Sequence, residues 1–125
     1  AGTNEWISLL AKDRYVVSRP RLNRHVRDIN DIISEVVPLP HIVEGRIVGF
    51  RISKLKKDGI INTSGFEEGD IVETINGKRL DSLKKPVHVY EYLRGFVDQE
   101  SAPQIKINFK RGSKTHTFSY RILKD

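Results

Sequence analysis

Asn76-Gly77 sits between two extended runs and commits the chain to a hairpin at that point. Both central residues of a two-residue hairpin turn need positive φ, which Asn and Gly tolerate best. The pair closes a longer phrase, Gly65-Phe66-Glu67-Glu68-Gly69-Asp70-Ile71-Val72-Glu73-Thr74-Ile75-Asn76-Gly77. Two glycines there flank an acidic turn, and Ile71, Val72, Thr74 and Ile75 form a short, β-branched, largely buried strand. Asp70 is placed to brace the turn through backbone N–H groups, a structural role.

A chain of 125 residues is the size of one domain with one modest core. With 38% hydrophobic and 30% charged residues it reads as a soluble globular protein. No apolar run approaches the roughly 18–20 residues of a membrane span, and no signal peptide is visible. The absence of methionine, even at position 1, leads us to expect a piece of a longer protein. The absence of cysteine excludes disulfides, zinc-thiolate sites and thiol catalysis, and fits an oxidising compartment such as a periplasm. Net charge is +6, from 22 basic and 16 acidic residues. The signs are interleaved and no nucleic-acid motif appears, so the excess reads as a solvated surface and no nucleic-acid partner is expected.

Along the chain, residues 1–18 read as a lead-in. Trp6, Ile7, Leu9 and Leu10 are apolar enough to pack, as a short helix, and 14–18 read as a strand. Residues 21–36 read as a helix, because Leu22, Val26, Ile29, Ile33 and Val36 share one stripe. Ser18 suits its N-cap, Pro20 its first turn, and Pro38 and Pro40 stop it. Residues 46–52 read as a strand after a Glu44-Gly45 turn, with Gly49 marking a bulge or close backbone approach. Residues 60–64 form one helical turn ended by Gly65. A second helix covers about 84–94, and Gly95 ends it. Ile105, Ile107 and Phe109 alternate with polar residues, and after the 111–114 turn His116, Phe118, Tyr120 and Ile122 mark the buried face. The order implies an α+β module around a small, mostly antiparallel sheet.

Catalytic constellations are missing. There is no Gly-x-Ser-x-Gly and no His-Glu-x-x-His. His25, His41, His88 and His116 are scattered, so no metal site is expected, and adjacent Glu67 and Glu68 read as solvated turn residues. No phosphate loop is present, so no cofactor is expected, and the chain reads as a non-enzyme. Peptide binding by strand addition needs an exposed edge flanked by apolar pockets. The edge candidate is Val48, Gly49, Phe50, Arg51 and Ile52. The helix 84–94 supplies the other wall through Val87, Tyr90, Glu91 and Arg94. Phe50, Ile52 and Tyr90 suit a plain core equally well. Arg51, Lys54 and Arg94 are placed to attract a carboxylate.

The 65–77 phrase resembles the signature of bacterial PDZ domains, which are peptide-binding modules. The resemblance extends further. Residues 14–19, Arg-Tyr-Val-Val-Ser-Arg, with a helix leading to Val37-Pro38, are similar to the segment before the PDZ domain in inner-membrane component C of bacterial type II secretion systems. Gly45-Arg46-Ile47-Val48-Gly49-Phe50-Arg51-Ile52 resembles that family's Gly-x-x-x-Gly-Phe-x-Ile, and Tyr90-Glu91-Tyr92-Leu93-Arg94 its Tyr-x-x-Leu-Arg helix end. Pro86 and Leu83 depart from the pattern.

This resemblance covers roughly residues 14–123. It implies a PDZ-like small antiparallel sheet, or partly open barrel, with two helices, preceded by an N-terminal helix. It divides the chain into a lead-in (1–18), an N-terminal helix and linker (19–40) and the PDZ domain (41–125). It implies a protein-interaction module in the periplasm, taking part in exoprotein recognition and export, with secreted substrates, the secretin or other secretion components as partners. The membrane is reached only through an anchor upstream, and the full-length protein can form homo-oligomers. A regulatory, substrate-binding PDZ domain of a periplasmic serine protease is the alternative.

Overall fold

Three tight turns set the path of the chain. In a computed structural model, which describes residues 5–25, 31, 32, 34–80, 88, 91 and 104–124, Glu44-Gly45 and Asn76-Gly77 adopt positive φ at both positions (52° and 79°, 51° and 81°). That is the I′ geometry matching strand twist. The first turn joins β3 (Val37–Val43) to β4 (Arg46–Ser53), and the second joins β5 (Ile71–Ile75) to β6 (Lys78–Arg79). The third joins β7 (Gln104–Arg111) to β8 (Lys114–Leu123). Before these come β1 (Ile7–Ala11), β2 (Arg14–Ser18) and a single helical turn, α1 (Arg19–Leu22); α2 (Ile60–Thr63) lies between β4 and β5.

The strands form one open sheet in the order β1-β2-β8-β7-β5-β4-β3, with β6 paired to β5. Of the antiparallel sheet or partly open barrel expected from the sequence, the described residues form the sheet: it stays open, with β1 and β3 at its two ends. Pairing is antiparallel except between β2 and β8, which run parallel with Tyr15 opposite Tyr120. Alternation in β8 places Phe118 and Tyr120 in the core, as the sequence pattern requires.

The main core joins Trp6, Ile7, Tyr15, Val17, Ile52, Phe66, Phe109, Phe118 and Tyr120. Its phenylalanine rings meet edge-on or tilted, with Phe109 and Phe118 at 4.7 Å and Phe66 and Phe118 at 5.3 Å, while Tyr15 stacks on Tyr120 at 5.2 Å. Such pairs add about 0.5–1.5 kcal/mol each beyond area burial. A smaller cluster joins Phe50, Ile75 and Leu80.

The N-terminal expectations need correcting. Residues 7–11 form a strand, not a short helix, because β2 offers an unpaired edge that β1 satisfies, and pairing outweighs weak local preference. Among the described residues no single helix runs over 21–36: 21–22 and 31–32 are helical, but 23–25 and 34–35 turn. Ser18 does cap α1, accepting from the Arg21 N–H at 3.3 Å, but Asn23 ends the helix and residues 23–25 turn. Of the expected stripe, Leu22 and Val36 pack against the main core, while Val26, Ile29 and Ile33 lie outside the described residues. Strand β3 begins at Val37, so Pro38 and Pro40 sit within a strand.

Candidate functional site

The 65–77 phrase is a clamp. Asp70, 1% exposed, accepts the Glu67 N–H at 2.9 Å, as the turn chemistry predicts. It also takes a two-pronged contact from Arg111, whose Nε and Nη2 reach its two carboxylate oxygens at 2.9 and 2.8 Å. Arg111 Nη2 donates to the Gly65 carbonyl as well, and Nη1 lies 3.0 Å from Glu67. The bond to Asp70, ahead of burial, which opposes it, raises the Arg111 pKa. Tyr120 donates its hydroxyl to the Ser64 carbonyl at 2.6 Å. Burial, then the neighbouring Tyr15, holds the Tyr120 phenol well above its usual value. A Cβ at Gly65 would lie 2.8 Å from both the Phe118 ring and the Tyr15 hydroxyl, so no side chain fits. The clamp therefore fixes the α2–β5 connection to the C-terminal hairpin. Its role is architectural, since the three bonds to the Asp70 carboxylate all come from this turn and from the C-terminal hairpin.

The partner-binding candidates of the β-sheet lie on β4, next to the clamp on its β3 side. Gly49, Phe50 and Ile52 are buried, Val48 is half-buried and Arg51 is exposed. Strand β4 is not an edge: β3 pairs along it on one side, and Phe50 and Arg51 pair with Val72 and Ile71 of β5 on the other. At this end of the sheet the free edge among the described residues belongs to β3. Phe50 and Ile52 face the core, and Gly49 accommodates a close approach, its hypothetical Cβ falling 2.5 Å from the Val72 carbonyl oxygen. Glu91 is helical and exposed, whereas Val87, Tyr90 and Arg94 lie outside the described residues.

Backbone bonding shows what the β3 edge offers. Ile52 donates to Asp70 and accepts from Gly69, so both of its backbone groups point toward β5. Its partner across β3, Pro38, therefore occupies a non-hydrogen-bonded pair, and so does Pro40, opposite Phe50. The backbone groups of 38, 40 and 42 then face the free edge. Of those three, only Ile42 carries an N–H.

Residues 37, 39, 41 and 43 place their side chains on the outer face, away from the core. Val37, Leu39 and Val43 are 41%, 42% and 47% exposed there. Leu39 stands opposite Arg51 and Val43 opposite Arg46. Both arginines are exposed, and neither has an ion-pair partner among the described residues. The result is an apolar column beside a cationic one. Sequence reading missed this surface because the two prolines read as a helix stop rather than as edge-strand residues. It likewise missed Arg111, whose partner lies 41 positions away.

No protein-family model matches the chain, and no curated protein matches it. Solved structures do. The PDZ domain of EpsC from Vibrio cholerae, residues 204–305, superposes with a TM-score of 0.57 at 16% identity, covering 82% of this chain and 91% of that one. The PDZ domain of the pullulanase C protein of the type II secretion system from Klebsiella pneumoniae, solved with a fatty acid, gives 0.51 at 17% identity, covering 82% and 99%. The fold is that of a PDZ domain.

Proposed function

We propose that this chain is the PDZ interaction module of inner-membrane component C of a type II secretion system, working in the periplasm. It binds proteins, namely exported substrates, the secretin or other secretion components, and takes part in the recognition and export of exoproteins. It carries out no chemistry of its own.

One observation carries this reading. The Arg14–Ser18 strand, whose sequence is similar to the segment before the PDZ domain in that family, is paired along its length with β8 and belongs to the PDZ sheet. The segment and the 65–77 phrase are thus parts of one folded unit. Its likeness to two secretion-component PDZ domains extends over 82% of the chain.

Biolayer interferometry tests the reading, with the immobilised chain facing purified periplasmic secretin domains and folded exported proteins of the same organism. Saturable binding to at least one of them is expected. Binding to none of them, with capture only of free C-terminal peptides from unfolded proteins, would favour a protease-linked substrate-binding domain instead.

A further inference from the structure

The β3–β4 hairpin combines three properties on one surface. Its free edge is short of donors, because Pro38 and Pro40 occupy two of the three outward-facing backbone positions. Its outer face exposes Val37, Leu39 and Val43, with half-buried His41 between the last two. The cross-strand partners of Leu39 and Val43 are Arg51 and Arg46, cations with no ion-pair partner among the described residues, and the segment 37–57 carries five Lys or Arg against one Glu.

We propose that this outer face docks an acidic amphipathic helix of a partner protein, and that Pro38 and Pro40 exclude an extended strand from the same edge. The proposal rests on the reading of the chain as a protein-binding module and names the chemistry of its partner.

The edge argues against a strand. An added strand needs a donor and an acceptor at alternate positions. At Pro38 and Pro40 the edge accepts only, so the facing carbonyls of an incoming strand lose their donors, a loss comparable to a missing hydrogen bond at each. Prolines placed this way also protect an apolar edge from pairing with a second copy.

A helix brings its own backbone bonds and asks nothing of the edge. The face argues for acidic flanks on that helix. From Val37 to Val43 the apolar column runs about 20 Å, which a helix spans in about 13 residues. Its apolar stripe lies on Val37, Leu39 and Val43. Its carboxylates then reach Arg46 and Arg51, whose planar guanidinium groups suit bidentate pairing.

Fluorescence anisotropy with the 125-residue chain tests this with three labelled peptides. One is a helix-forming peptide with a Leu stripe flanked by Glu, the second has Lys in place of Glu, and the third is an acidic Val/Thr-rich extended peptide. The acidic helix is expected to bind saturably, the Lys version not at all, and the extended peptide about tenfold more weakly or worse. Arg46→Glu with Arg51→Glu is expected to weaken the acidic helix about tenfold or more while leaving the thermal melt unchanged. Pro38→Val with Pro40→Val is expected to strengthen the extended peptide.

Equal binding of the extended peptide to the wild-type chain overturns the proposal, and so does acidic-helix binding that ignores the arginine reversal. Capture of phosphatidylglycerol vesicles with no binding of the acidic helix overturns it too, and makes the face a lipid surface. If secretin domains or exported proteins bind the wild-type and arginine-reversed chains alike, the interaction-module reading stands and this face is not its site.

Discussion

Arg111 and Asp70 show how one pair of side chains can hold a loop that sequence periodicity leaves undefined. Asp70 is fully buried, while the Arg111 side chain is 34% exposed, so the pair is only half desolvated. Removing the carboxylate strands the guanidinium and frees the Glu67 N–H. Asp70→Ala should therefore lower unfolding free energy by about 2–4 kcal/mol. Arg111→Lys should recover little of the contact, because an ammonium cannot span both oxygens. Urea unfolding of both variants measures this, and a loss under half a kilocalorie for Asp70→Ala would contradict it.

Tyr120 makes the clamp sensitive to alkali. Its folded pKa stands above the usual value of 10.0, so the folded state holds a proton that the unfolded chain releases. Its contribution is complete below pH 10 and is lost as pH rises from there through the folded pKa. Tyr120→Phe should be less stable at pH 7 by about 1 kcal/mol, since the Ser64 carbonyl loses its donor. Its stability should also fall less steeply above pH 10 than that of the wild type, although Tyr15, raised first by burial, keeps part of the slope. Parallel alkaline limbs in guanidinium titrations at several pH values would remove Tyr120 as the cause.

At the scale of elements, α2 begins without a side-chain cap of its own. Glu35, 26 positions earlier, supplies one by accepting the Ile61 N–H at 3.1 Å. Gly59 lies against that carboxylate, and a Cβ there would come within 2.6 Å of it. Glu35→Ala and Gly59→Ala should each cost about 1 kcal/mol, the second by displacing the first residue's carboxylate. A double-mutant cycle should then be non-additive, with Gly59→Ala nearly silent once Glu35 is gone. Additive losses would show that the two act separately.

Hairpins were the most legible elements. Asn76-Gly77, Glu44-Gly45 and the alternating 105–122 run follow from turn chemistry and a period of two, which act locally. Edges were not legible, because which strand lies outermost depends on pairing between distant segments. Strand 48–52 carries the apolar, glycine-containing look of a ligand edge, yet β3 covers it. Pro38 and Pro40 carry the look of a helix stop, yet each sits where its missing N–H faces outward.

For the whole molecule, the N-terminal hairpin is part of the sheet and core rather than an appendage. Trp6, Ile7, Tyr15 and Val17 lie within the main cluster, and β2 pairs with five residues of β8. Deleting residues 1–18 should leave β8 as an apolar edge and remove four core side chains. We expect loss of the cooperative thermal transition or aggregation, seen by circular dichroism and size-exclusion chromatography. A truncated chain melting as the full one does would mean the hairpin contributes nothing. Composition pointed to one domain, and the pairing of residues 14–18 with the C-terminal strand escaped it because parallel pairing between positions as distant as Arg14 and Ser119 leaves no local signal.

On the proposal made above, this PDZ domain binds a protein partner, and the partner meets the β3–β4 hairpin. Titrating the isotope-labelled chain with a periplasmic secretin domain or a folded exported protein, and mapping backbone amide shifts by NMR, tests it most directly. Saturable shifts concentrated in residues 37–53, with Ile42, Arg46 and Arg51 among the largest, are predicted. Shifts confined to the 7–11 edge or the 65–77 clamp, or no shifts with either partner at saturating concentration, would contradict it.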